Sequence, residues 1–195
     1  MATSKTKAKL VDVARQLFAK MGVENTTMND IALASKKGRR TLYTYFKSKE
    51  EIYLAVVESE LDILSQMLKR VMEKDISPDA KLIEMIYTRL DAVKEVVYRN
   101  GTLRADFFRD IWRVEKVRKK FDSNELQCIK AVLLEGMEKG VFELDNVDMT
   151  AEIIHYSVKG IEVPYVRGQV GADLADDIRG LYVEKLVFRA LGKKL

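Results

Sequence analysis

The sequence predicts an all-α protein. Only 2 prolines interrupt 195 residues, and proline is the residue that a helix interior excludes. Apolar residues recur at intervals of three and four along most of the chain, the period of an amphipathic helix. No stretch shows the strict alternation of a half-buried strand. With 47% hydrophobic and 33% charged residues, the chain is long enough for one large or two small domains around a substantial core.

The elements follow in order. Leu10, Val13, Ala14, Leu17 and Phe18 share one face of a first helix over about 5–21, and Gly22 stops it. Thr27 followed by Asp30 reads as a capping box for a second helix, with Asp in place of the usual Glu or Gln. A tight turn, Ser35-Lys36-Lys37-Gly38, leads to a third helix over about 39–46. Ser48 followed by Glu51 opens a long helix to about 73, with Leu54, Val57, Leu61, Leu64, Leu68 and Val71 in one stripe. Residues 75–79 form a break that places Pro78 in the first turn of the next helix, and Leu82, Ile86, Leu90, Val93 and Val97 carry that helix to Asn100-Gly101. Leu103, Phe107, Phe108, Ile111 and Trp112 mark a short aromatic helix. Leu126, Ile129, Leu133 and Met137 mark another that stops around Gly140. Two longer helices complete the chain, over about 148–163 and 174–191, and Pro164 should kink or end the first of them. The total is nine or ten helices.

Charge divides the chain. Residues 1–50 hold eleven Lys or Arg against four Asp or Glu, a balance of +7 within a total of +4. A basic head on a mildly acidic body implies that the head alone meets a polyanion. The N-terminus lacks the apolar core of a signal peptide, and no run approaches the roughly 18 apolar residues of a membrane span. Cys128 is the single cysteine, which excludes an intrachain disulfide and fits a reducing interior. A cytoplasmic protein with no membrane partner is expected.

The turn and third helix carry Lys36, Lys37, Arg39 and Arg40 beside Thr41, Tyr43, Thr44 and Tyr45, with Lys47 just beyond. Cations and hydroxyls on one short helix suit phosphate oxygens and base edges in a DNA major groove. Two short helices joined by a tight turn form a helix-turn-helix, whose second helix lies in the groove while flanking helix starts clamp phosphates. Thr27 and Lys49 lie at such starts. Leu42 and Phe46, four residues apart, should instead plug the core of the head beside Ile31 and Phe18.

Thr26-Thr27, Ile31-Ala32, Leu42-Tyr43-x-Tyr45-Phe46 and Ser48-Lys49-Glu50 stand in the order and spacing of a known motif. Over about residues 8–54 the chain resembles the TetR family of bacterial transcriptional regulators. The resemblance implies phosphate contacts for Thr27, Tyr43 and Lys49, a DNA-binding domain at 1–50, and an effector-binding and dimerisation domain of helical-bundle type at 51–195. It also implies a palindromic double-stranded DNA operator, a homodimer and a small-molecule effector. The turn departs from the family, whose Ala-Gly-Val-Ser is replaced by Ser35-Lys36-Lys37-Gly38 and whose common glycine further on is Arg40. The family's turn glycine permits φ > 0. Either Lys36 bears the strain of that geometry or the turn shifts by one residue. Gly38 occupies the cap position, where glycine is acceptable.

In the body, Leu64, Met67, Tyr87, Phe107, Phe108, Trp112 and Met137 offer large, adaptable apolar surface. Such residues suit a pocket for an apolar or aromatic effector, and they suit an ordinary core equally well. Arg104 and Arg109 offer charge for an acidic effector. The last helix carries Leu174, Ile178, Leu181, Val183, Leu186, Val187, Phe188, Ala190 and Leu191 around more than one face, as expected of a helix buried on two sides. The helix before it, with Ile153, Ile154, Val158, Ile161 and Val163, covers one side, and a partner copy would cover the other. His155 is the only histidine, has no cysteine or carboxylate cluster at metal-ligand spacing, and reads as a polar structural contact. No metal and no cofactor are expected. With no phosphate-cradling loop and no nucleophile motif, an enzyme is excluded. The competing function is a DNA-bound protein of nucleoid or cell-division control that acts through a protein partner.

Overall fold

A computed structural model describes residues 5–99 and 111–170, together with Lys185, Val187 and Leu191. Among the described residues the regular elements are helices: α1 Lys5–Met21, α2 Met28–Ala34, α3 Arg39–Tyr45, α4 Lys49–Met72, α5 Pro78–Arg99, α6 Ile111–Glu138 and α7 Val147–Val166. The chain forms two compact units. Residues Met1–Ile63 and Glu95–Lys120 make one, and Leu64–Lys94 and Phe121–Leu195 the other.

Local chemistry sets the ends of the helices. Gly22, at φ 85, ends α1 where the sequence places its stop. The capping box at α2 is complete, because Thr27 Oγ1 accepts from Asp30 N at 3.2 Å while Thr27 N donates to Asp30 Oδ2 at 2.9 Å. At α4, Ser48 Oγ accepts from Glu51 N at 3.2 Å, but the Glu51 carboxylate takes the N–H of Lys47 rather than that of Ser48. Pro78 opens α5 as its first residue. Three helix ends share one hydrogen-bond pattern with a left-handed residue just past the last turn. That residue is Lys36 after α2, Gly140 after α6 and Gly168 after α7. The amides that follow them, of Lys37, Val141 and Gln169, return to the carbonyls of Ala32, Gly136 and Pro164, satisfying groups that a bare helix end leaves orphaned.

Two expectations need correction. Ile111 and Trp112 do not belong to a short separate helix, since both lie on α6, which runs 28 residues. The stretch between them and Leu126 hides its periodicity because charged residues occupy the inward positions. Val114, Arg118, Phe121, Glu125 and Ile129 are all buried, and a count of apolar residues alone passes over two of those five. Pro164 likewise does not end α7 near residue 163, as the helix continues to Val166. Its missing N–H removes one bond, the one that would reach the carbonyl of Gly160 four residues back.

In the first unit Leu10, Ala14 and Phe18 of α1, Ile31 and Ala32 of α2, Leu42 of α3 and Ile52 and Val56 of α4 are buried. Each large side chain among them contributes about 1.5–3 kcal/mol through burial. Phe18 also meets Tyr53 edge-on, with ring centroids 6.3 Å apart. In the second unit Leu68, Leu82, Ile86, Leu90, Val132, Leu133 and Ala151 form the equivalent core. Phe142 is buried with them and its ring lies over Gly136, at a spot that a Cβ on residue 136 would occupy.

Candidate nucleic-acid interface

The head is built so that α3 is held from one side and bare on the other. Leu42 is fully buried and Phe46, which caps α3, nearly so. On the opposite face Arg39, Arg40, Tyr43 and Thr44 are exposed, with Lys47 exposed just beyond. Thr41 and Tyr45 are half-buried at the edges of that face. The aromatic ring of Tyr43 therefore reaches solvent while the leucine beside it does not.

The turn keeps its register. Lys36 takes φ 55, the left-handed geometry that glycine usually supplies, at a cost of about 1–2 kcal/mol for a side-chain-bearing residue. Gly38 sits at the cap of α3 with extended backbone and no side-chain hydrogen bond. Register is retained because Ser35 is anchored: its side chain is buried and Ser35 Oγ donates to Ala32 O at 3.0 Å. Lys36 is consequently exposed and Lys37 half-buried.

Three of the sequence-derived contacts are already engaged within the head. Thr27 Oγ1 donates to Asp30 Oδ2 at 2.7 Å, and this hydrogen bonding holds the Asp30 carboxyl below its ordinary value. Thr44 Oγ1 donates to Arg40 O at 3.0 Å. Lys49, the first residue of α4, donates from Nζ to Val23 O at 2.6 Å and to Glu24 O at 3.0 Å. An ammonium has three donors, so Lys49 can tie the α1–α2 turn to α4 and still present a charge. Within the same unit, an open groove of about 350 Å³ runs beside α1 and α4, bordered by Lys7, Asp12, Arg15, Glu58 and Asp62.

An exposed cationic face on a short helix, fixed by buried Leu42 and Phe46 on a three-helix head, defines a helix-turn-helix DNA-binding protein. Residues 10–56 match the family described as "Bacterial regulatory proteins, tetR family", and the chain is a TetR-family transcriptional regulator. It is 25% identical over 158 residues to the HTH-type transcriptional regulator QacR of Staphylococcus aureus, covering 80% of this chain and 83% of that one. It is 27% identical over 151 residues to the HTH-type transcriptional repressor KstR2 of Mycolicibacterium smegmatis, covering 74% and 72%. In structure it is similar to a transcriptional regulator from Cytophaga hutchinsonii, with a TM-score of 0.70 and 22% identity over 94% of this chain and 93% of that one.

The expected effector residues in the body differ in burial. Leu64 is buried, Met67 and Tyr87 are half-buried and Met137 is exposed. Phe107 and Phe108 lie outside the described residues, as do Arg104 and Arg109, and of Trp112 only the backbone is described. In the second unit a void of about 10 Å³ is lined by Leu82, Met85, Ile86, Arg89, Glu125, Ile129, Ile154, His155 and Val158, none of which is among the seven.

Sequence reasoning passed over the polar side of that void. Arg89 is 1% exposed. From α5 it donates to Glu125 of α6 and, through Nη2, to Glu162 Oε1 of α7 at 2.6 Å. His155 is in polar contact, as expected, with Nδ1 2.7 Å from Glu125 Oε2. The carboxylates absent from its sequence neighbourhood are supplied by α6, where Asp122 and Glu125 bring their oxygens within 4.8 Å of the imidazole and of each other. A signal was available. Arg89 follows Leu82 and Ile86 on one stripe of α5, and His155 and Glu162 fall in register with the buried Ala151 and Val158 of α7.

On the outer side of α7, Met149, Ile153 and Tyr156 are 61%, 57% and 64% exposed. Ile153 thus faces outward. Leu186 lies outside the described residues, while Val187 is half-buried and Leu191 buried.

Proposed function

We propose that the protein is a cytoplasmic repressor that holds a palindromic operator as a homodimer and releases it when a small molecule occupies the body. The observation that carries the DNA reading is the exposed face of Arg39, Arg40, Tyr43 and Thr44 on α3. In this reading residues 1–50 are the DNA-binding domain and 51–195 the effector-binding and dimerisation domain. Tyr43, Lys49 and Thr27 hold phosphates, while Lys36, Lys37, Arg39, Arg40, Thr41, Thr44, Tyr45 and Lys47 supply the remaining backbone and base contacts. Met149, Ile153 and Tyr156, at helical spacing on α7, suit contact with a second copy, since large apolar side chains in a row rarely stay in water. Relatives named as regulators and as a repressor support the reading.

The effector binds one body conformation preferentially, and the helix that starts after Ser48 then alters the spacing of the two heads. Leu64, Met67, Tyr87, Phe107, Phe108, Trp112 and Met137 remain its proposed lining. The competing reading, in which the body answers to a protein partner, is tested alongside it.

Selection of bound fragments from random duplex DNA tests the proposal, and an inverted repeat should emerge. Unchanged binding in a combined alanine variant of Arg40, Tyr43 and Lys49 would break it. Sedimentation should give a dimer, and a small molecule that releases the selected DNA decides against the protein-partner reading.

A further inference from the structure

We propose that the effector is an uncharged molecule with an apolar carbon chain and one acceptor oxygen, such as a ketone, ester or amide carbonyl, anchored on Arg89 between α5, α6 and α7. The inference rests on the reading that the body takes a small molecule, and gives that molecule its chemistry. Arg89 borders a void of about 10 Å³, near the size of one water and so of one oxygen atom. Leu82 and Met85 of α5, Ile129 of α6 and Ile154 and Val158 of α7 make much of the wall apolar. Glu125 and His155, which also line it, hold each other at 2.7 Å.

Arg89 supplies a buried donor that lacks an acceptor. The residue is 1% exposed, and its two terminal nitrogens are engaged by Glu125 and Glu162. Among the described residues nothing accepts from Nε. The ring of Phe121 lies with its centroid 5.5 Å from the guanidinium carbon, but the Nε–H bond runs in the guanidinium plane, so a ring over the face does not satisfy it. A buried N–H without a partner is costly. An oxygen in the void removes that cost, and an uncharged one does so without burying a further charge. An ammonium has no acceptor to offer. A carboxylate would set a third anion against a guanidinium that already holds two. The carbon chain leaves past Ile154, the half-buried member of the wall, and along Val158. Met85 makes room, because an unbranched thioether side chain repacks readily. The bound molecule then joins α5, through Arg89, to α7, through Ile154 and Val158.

The test uses the full chain without DNA, and methyl pentyl ketone as the probe. The ketone should shift the Nε–H resonance of Arg89 in a nitrogen–proton NMR spectrum, saturably, and raise the melting temperature. The alkene of the same shape, with a methylene in place of the oxygen, should bind about tenfold more weakly, the scale of one lost hydrogen bond. The corresponding protonated amine and hexanoate should also bind more weakly than the ketone. Arg89→Lys keeps a cation for both carboxylates but removes Nε, and should erase the preference for ketone over alkene. Ile154→Trp closes the exit and should abolish binding while leaving the Arg89 resonance in place. If Arg89→Lys does not fold, Ile154→Trp and the comparison of probes still decide. Ketone that binds no more tightly than the alkene or the amine, or an Arg89 resonance that it does not move, would overturn the proposal. Release of the operator by some other small molecule would then leave the effector reading standing. Ketone bound at Arg89 with no effect on operator binding would instead count against the effector reading and leave the site.

Discussion

Arg39 and Arg40 stand in solvent on α3, whereas Arg89 is enclosed between α5, α6 and α7 with a carboxylate on each of two nitrogens. The side chain is the same and its surroundings are opposite. An exposed guanidinium remains hydrated and ready for a phosphate or a guanine edge. An enclosed one is committed, because the carboxylates it holds were taken out of water with it. The exposed cations proposed to meet DNA should therefore be removable at little cost to the fold, and interior ones should not.

The largest effect expected is at Arg89. Arg89→Met leaves Glu125 and Glu162 buried without their cation and should destabilise the protein by about 3–5 kcal/mol, as measured by urea unfolding. Replacing Arg89, Glu125 and Glu162 together by apolar residues should recover much of that loss. If Arg89→Met alone were neutral, the contrast between the two regions would fail.

Arg40→Ala comes next, and its effect should fall on DNA rather than on stability. A guanine contact would cost about 1–3 kcal/mol on the selected operator and much less on random DNA. Lys49→Ala should weaken both DNAs alike and flatten the salt dependence by about one unit. Because Lys49 Nζ also holds Val23 O and Glu24 O, that variant should lose about 1 kcal/mol of stability as well. Comparison of operator with random duplex by fluorescence anisotropy separates a reading residue from a gripping one. Equal losses for Arg40→Ala would make it a phosphate contact.

Smaller effects lie in the turn. Lys36→Gly should stabilise the head by about 1 kcal/mol by relieving the left-handed backbone at φ 55, while removing one exposed charge from DNA. Gly38→Ser should add only a few tenths of a kcal/mol, since glycine already caps tolerably. A Cβ at residue 38 meets nothing within 4 Å. Both shifts can be read from melting curves.

The head was legible from its residues because its determinants are local. Thr27 and Asp30 are three apart, Leu42 and Phe46 four, and each pair acts inside one or two turns of helix. Whether Lys36 would adopt positive φ was not legible, as it depends on the buried anchor of Ser35 in the packed head. In the second unit the determinants are distant. Glu125 and His155 are 30 residues apart, and Arg89 and Glu162 73, so no window along the chain contains both members. Along α6, apolar periodicity failed where Arg118 or Glu125 replaced a hydrophobe on the inward face.

The contact of Phe142 with Gly136 also bears on how the chain tolerates change. Surface connections usually accept extra residues cheaply. The connection after α6 differs, because Phe142 inserts its ring where residue 136 has no side chain, and only four residues further on Asn146 caps α7 with its carbonyl on Met149 N at 2.9 Å. That short stretch serves as a ruler. Lengthening it between 142 and 146 would rotate α7 about its own axis or slide it along, and either movement withdraws His155 from Glu125 and Glu162 from Arg89 together. Insertions should therefore be accepted far more readily at 74–77, ahead of Pro78, than in this segment of similar length and exposure.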